Sequence, residues 1–118
     1  MHKHLVSAAA AAAVLAAAAP VHAKDRVGFQ AISAKDFAKA EERLNAERRI
    51  FPNRPELMLN LAHVYRHTGR TMQARSLYAQ VLAQAPVEMD LPSGRVATSH
   101  GLASLGLAML SSNDIAAR

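Results

Sequence analysis

Two prolines, Pro52 and Pro86, stand 34 positions apart in this chain (86 − 52 = 34), and Ala40 and Ala74 keep the same offset. So do the apolar pair Leu44 and Tyr78. A period of this length, with proline closing each unit, describes two antiparallel helices stacked on the next two. One such pair cannot bury its apolar side alone, so consecutive units must share a continuous core. Stacks of this kind offer surfaces to other molecules and rarely carry chemistry. The spacing therefore constrains architecture and partner class far more than it constrains a reaction.

The repeat does not start at the N-terminus. Met1-His2-Lys3-His4 is basic, residues 5–19 are apolar or small apart from Ser7, and Pro20 ends the run. Val21-His22-Ala23 then offers small residues at the spacing that a signal peptidase reads. Basic, apolar and small segments in that order describe a secretory signal peptide over residues 1–23, cleaved after Ala23. The run is short of the roughly 20 apolar residues that a membrane span needs, and an uncleaved anchor is the alternative. The mature chain runs from Lys24 to Arg118, or 95 residues (118 − 23), which is one small domain. Its expected location is the periplasm or the medium. The chain has no cysteine, so neither a disulfide nor a lipid anchor on cysteine is available to it.

Loss of Lys3 leaves 13 Lys and Arg against nine Asp and Glu, a formal +4 (14 − 1 − 9). A basic domain favours acidic partners such as an acidic peptide or anionic lipid. Export argues against nucleic acid, and contact with a membrane is expected only through weak basic attraction. The plainer reading of the charge is a solvated surface that keeps a small protein soluble.

The fold class predicted for the mature chain is all-α, with about four helices and no strand. Residues 24–32 read as a mixed lead-in containing Gly28, and residues 33–112 as the helical domain. Ser33 with Asp36 resembles a capping box that opens the first helix. Phe37, Ala40, Leu44 and Glu47 share one face of it, with Glu41, Glu42, Arg43, Arg48 and Arg49 opposite. Pro52-Asn53-Arg54-Pro55 ends that helix, and Asn53 with Glu56 forms a second cap pair. A second helix covers residues 57–68, and Gly69 supplies the left-handed turn. Thr71 is expected to cap a third helix, residues 72–84. Residues 87–93 read as a loop, with turn chemistry in Leu91-Pro92-Ser93-Gly94. A fourth helix covers about residues 95–110 and ends at Asn113-Asp114.

The residues from Pro55 to Pro86 resemble one complete unit of the tetratricopeptide repeat family. The first helix of that unit carries Met58, Leu61 followed by small Ala62, then Tyr65, and Gly69 stands at the turn. The second carries Ala74, Tyr78 and Val81, although the family usually has a small residue where Val81 stands. Ala62 and Ala74 are small because the two helices touch there. Residues 34–52 are similar to the second helix of a preceding unit, through Phe37, Ala40, Leu44 and Pro52. Residues 95–112 are similar to a following first helix, through Leu102, Leu105-Gly106 and Met109, after an insertion.

The resemblance implies a right-handed stack of antiparallel helices whose first helices line a concave face. By helical phase, Glu56, Leu59, Asn60, His63, Arg66 and His67 point into that groove, where such proteins hold extended peptides or partner helices. Asn60 can donate to and accept from a peptide backbone at once. Arg66 can grip a carboxylate with two parallel bonds. The plainer reading is the solvated face of an amphipathic helix.

His63 and His67, four apart on one face, are a minor candidate for a shared metal ion. Val64 stands where a metalloprotease helix places its catalytic glutamate, and His100 lies far along the chain. Asp36, Glu88 and Asp90 are scattered carboxylates without a partner pattern, and the chain has no glycine-rich phosphate loop. Neither an enzyme nor a cofactor is expected. The function read from the sequence is an envelope adaptor that binds a protein or peptide. The alternative is a helical module that self-associates, as a homo-oligomer, through the apolar side of its last helix.

Overall fold

A computed structural model describes residues 29–117. The expected signal segment, the expected cleavage point at Ala23 and the lead-in up to Gly28 lie outside the described residues. Within them the chain forms five helices and one two-stranded hairpin: α1 (Phe29–Ser33), α2 (Phe37–Arg48), α3 (Pro55–His67), α4 (Thr71–Leu82), β1 (Glu88–Asp90), β2 (Val96–Thr98) and α5 (Ser99–Ala117). The helical stack expected from the sequence is present. Each helix packs on its neighbours in sequence, and α3 also reaches α5 across the end of the unit.

The core follows the repeat. Ala40 and Leu44 of α2, Leu57, Met58, Leu61, Ala62 and Val64 of α3, and Ala74, Tyr78 and Val81 of α4 are buried together with Ala103 and Leu110 of α5. Ala62 and Ala74 are wholly buried, as the contact of two helices requires. Val81 is buried too, so the larger residue at that position is accommodated.

Local chemistry sets the helix ends. Pro55 opens α3 at a position where the missing amide costs nothing, and Glu56 in the first turn meets the positive end of the helix dipole. At the other end Gly69 adopts φ +79°. The Arg70 amide then donates back to the Tyr65 carbonyl at 2.8 Å, which closes the helix with a Schellman bond. The Thr68 hydroxyl adds a bond to the Val64 carbonyl at 2.8 Å. Arg70 goes on to join the units. Its guanidinium forms a two-pronged ion pair with Glu41 of α2, one prong at 2.9 Å, and lies 4.5 Å from the centre of the Tyr65 ring.

Three expected caps are placed differently. Ser33 belongs to the end of α1, and the residue that caps α2 is Asp36, whose carboxylate accepts from the Lys39 amide at 3.2 Å. Lys35 turns the chain between them at φ +59°, with the Asp36 amide bonded to the Ala31 carbonyl at 2.8 Å. Arg54, not Asn53, precedes α3, and no side chain caps it, because a guanidinium only donates and offers the first-turn amides no acceptor. Thr71 is the first residue of α4, after Arg70, and makes no capping bond.

The larger correction lies between α4 and α5. Residues expected to be loop and helix form an antiparallel hairpin, paired Glu88 with Thr98, Met89 with Ala97 and Asp90 with Val96. Its turn does use the expected residues. The Gly94 amide donates to the Leu91 carbonyl at 2.9 Å, with Pro92 in the second position and Gly94 at φ +84°. Ser99 is buried and clamps the base, its hydroxyl accepting from the Val87 amide at 3.0 Å while its amide donates to the Val87 carbonyl. Helix α5 therefore starts at Ser99, not near Arg95, with the Thr98 hydroxyl accepting from the Gly101 amide at 3.0 Å. It also continues through Asn113 and Asp114 to Ala117. The insertion explains why the register of α5 lags. Leu105 follows Leu61 by 44 positions (105 − 61), ten more than the repeat.

Candidate functional site

Helix α3 forms one wall of a groove, and the hairpin with α5 forms the other. The groove has two adjoining depressions. The first, of about 330 Å³, is lined by Glu56, Leu59 and Asn60 of α3, by Met89, Asp90, Leu91 and Pro92 of the hairpin, and by Leu102 of α5. The second, of about 240 Å³, takes Leu59, Asn60, His63 and Arg66 from α3, Tyr78 from α4, and Leu105, Gly106 and Met109 from α5. Leu59, Asn60, Leu91 and Leu102 line both, so the two are continuous.

The helical spacing explains the α3 wall. Residues 56, 59, 60, 63 and 66 recur at three and four, while the other buried residues of the same helix, Leu57, Met58, Leu61, Ala62 and Val64, belong to the core. Leu59 is only 8% exposed and is the floor. On the far side, the Tyr78 ring passes beneath α5 at Gly106. A Cβ there would run into ring carbons Cζ, Cε1 and Cε2, so only glycine lets the helix lie so close. Hairpin residues Met89, Leu91 and Pro92 have no counterpart in the expected site, because three-residue strands carry too little alternation to be read from sequence.

Five of the six residues expected in the groove line it, and His67 does not. Its ring turns toward α2 and stacks on Phe37, with centroids 5.2 Å apart and planes 11° from parallel. His63 lies between the two environments. It lines the groove, yet its ring is 4.2 Å from that of His67 and 6.3 Å from that of Phe37. Arg66 Nη2 is 3.3 Å from His63 Nδ1. A guanidinium only donates, so this nitrogen accepts and the ring proton sits on Nε2. The Arg66 Nε is buried and has no hydrogen-bond partner.

Burial, then the neighbouring His67 and Arg66, push the His63 pKa down to about 4 from 6.5. Burial and then Arg66 and Lys35 lower that of His67. Both rings are neutral at pH 7. Neutral imidazoles can ligate metal, but Arg66 places a fixed cation beside them, and the described residues hold no group of three or more His, Cys, Asp or Glu arranged for an ion.

The lowered pKa has a consequence for stability. The folded chain holds fewer protons at His63 than the unfolded chain, so acid favours unfolding. The contribution is full above the unfolded value of 6.5 and is lost as pH falls toward about 4. The ring is half-buried, so solvent screening reduces the full linkage value to about 1–2 kcal/mol. His63→Gln keeps an acceptor for Arg66 without a titrating ring. Urea unfolding at pH 7 and pH 4.5 should show a smaller acid loss in this variant than in the parent. Equal losses would mean that His63 titrates normally.

The fold and the residues at the repeat positions agree with a comparison of sequences. The profile of the family described as Tetratricopeptide repeat matches residues 31–90, just over half of the chain. The chain belongs to the tetratricopeptide repeat family. The match spans α1 to β1 and so includes the complete repeat, α3 with α4, and the helix before it. Tetratricopeptide repeats generally mediate contacts between proteins and are typically scaffolds without catalysis. No curated protein and no solved structure matches the chain. Helix α5, which completes this repeat protein's groove, lies beyond the matched residues, as does β2.

Proposed function

We propose that the mature protein is a non-enzymatic adaptor of the cell envelope that holds a protein or peptide segment in the groove between α3, the hairpin and α5. One observation carries the reading. A continuous apolar trough, floored by Leu59 and walled by Leu91 and Leu102, ends at the guanidinium of Arg66, whose Nε lacks a partner. An apolar floor supplies non-directional affinity, and a fixed cation selects an acidic group. Asn60 lies midway along the trough and suits a peptide backbone. Export through cleavage after Ala23 belongs to the same proposal. The intact mass of protein recovered from the periplasm or medium should correspond to a chain starting at Lys24. A full-length mass in the membrane fraction would make the segment an anchor.

The groove is tested by capture from envelope extract, with the mature chain and its variants as bait. Arg66→Ala should weaken binding of the captured partner by about 1.5–3 kcal/mol, the usual worth of a hydrogen bond to a charged group. Leu59→Asp should abolish capture. Arg75→Ala, on an exposed position of α4 outside both depressions, should change little. Equal losses from Arg66→Ala and Arg75→Ala would indicate diffuse basic attraction to lipid or polyanion.

Self-association is the second reading, favoured by the exposure of Leu105 (53%) and Met109 (39%) on α5. These two residues line the groove, so a ligand held there covers them. Sedimentation of Leu105→Glu separates the readings. A dimer lost on substitution supports self-association, and a monomer throughout supports the adaptor.

A further inference from the structure

The groove has a charge axis along its length. At the end nearest the start of α3 it is lined by two carboxylate residues, Glu56 of α3 and Asp90 of β1. At the other end it is lined by Arg66 and His63, with no carboxylate. Apolar Leu59, Leu91 and Leu102 lie between, with Asn60. Arg95, in the turn of the hairpin, lines neither depression. The chain as a whole is basic, at a formal +5, so its overall field favours a uniformly acidic partner. Inside the groove the acidic end opposes that preference, because like charges brought together at short range are costly.

The distance between the ends sets the partner's spacing. Glu56 and Arg66 are ten positions apart on one helix, about 15 Å at a rise of 1.5 Å per residue. An extended chain rises about 3.3 Å per residue, so four to five residues cover that length. A bound helix, 10–12 Å across, suits depressions of about 330 and 240 Å³ poorly. An extended segment instead sends alternate side chains toward the floor.

We propose that the groove takes an extended peptide segment with a basic group at one end, an acidic group four or five residues away, and apolar side chains between. Glu56 and Asp90 hold the basic group, and Arg66 holds the acidic one. The inference rests on the peptide-holding reading of the same groove and adds the charge pattern of its occupant.

Fluorescence anisotropy with labelled, end-blocked pentapeptides tests it. One probe carries lysine first and glutamate last around three leucines, and a second reverses that order, because the charge pattern is compatible with either chain direction. A third carries glutamate at both ends. One of the two mixed-charge probes should bind the mature chain at least about tenfold more tightly than the doubly acidic probe, a difference of 1.4 kcal/mol. Glu56→Lys combined with Asp90→Lys should reverse that preference. If circular dichroism shows that the double variant does not fold, Glu56→Gln should still narrow it. Equal binding of mixed and doubly acidic probes, weakened alike by Arg66→Ala, would overturn the charge pattern and leave the peptide groove standing. Binding that is insensitive to Arg66→Ala, or no binding of any probe at millimolar concentration, would overturn both.

Discussion

Replacing Leu61 by alanine should cost about 2–5 kcal/mol and lower the melting temperature by ~10 °C or more. Leu61 has no exposed surface and sits in the middle of α3, the helix that packs on α2, α4 and α5. The loss combines the transfer of the removed side chain with a cavity that three surrounding helices cannot close. Total stability for a domain of this size is about 5–14 kcal/mol, so the change removes a large share of it. Leu105 supplies the control. It occupies the equivalent place in α5 yet is 53% exposed, so Leu105→Ala should cost less than about 0.5 kcal/mol. Urea unfolding of the two variants in parallel decides the matter. Similar costs would mean that the burial assigned to one of the two leucines is wrong.

Gly106→Ala should destabilise the protein, although glycine to alanine inside a helix is ordinarily worth about 1 kcal/mol in the opposite direction. The added Cβ would overlap the ring of Tyr78, which is itself buried at 3% exposure and has little room to turn. Overpacking of this kind costs about 1–3 kcal/mol, so the net loss is about 0–2 kcal/mol once the helix gain is subtracted. The groove is affected as well, since Gly106 and Tyr78 both line its second depression. Tyr78→Ala provides the check, because it removes the ring that the Cβ meets. On that background Gly106→Ala should be neutral or stabilising, a coupling that a double-mutant cycle reads directly. A stabilising Gly106→Ala in the parent would mean that α5 and α4 are further apart than described.

The complete repeat was legible because its cues are local. Pro55, the apolar run of α3, Gly69 and the small residues Ala62 and Ala74 each act within a turn or across one short connection. Of the α2 charges expected on an exposed face, Glu42 is exposed while Glu41, Arg43 and Arg48 are half-buried, and the ion pair of Glu41 with Arg70 joins partners 29 positions apart. The helix starts differ from the expected ones by one to four residues. Ser33 and Asp36 both satisfy the capping pattern, and the short α1, which ends at Ser33, decides for Asp36. The hairpin was missed because Glu-Met-Asp has no β character of its own. It pairs because Ser99 clamps its base and because Met89 and Ala97 are half-buried.

Helical periodicity and turn chemistry are properties of neighbouring residues, so the chain alone marks residues 55–86 as one antiparallel helical unit and marks the apolar face of each helix. What covers those faces follows from packing between distant segments. The ten-residue insertion folds back as a hairpin, which turns the exposed side of α5 into a groove wall and not a bare end of the stack. Packing against Phe37 draws His67 out of that groove while His63 stays in it, although the two lie on the same helical face. The close approach at Gly106 likewise depends on where the Tyr78 ring lies, 28 positions earlier (106 − 78). Contacts at that separation leave no periodic trace in the chain, because each is made once.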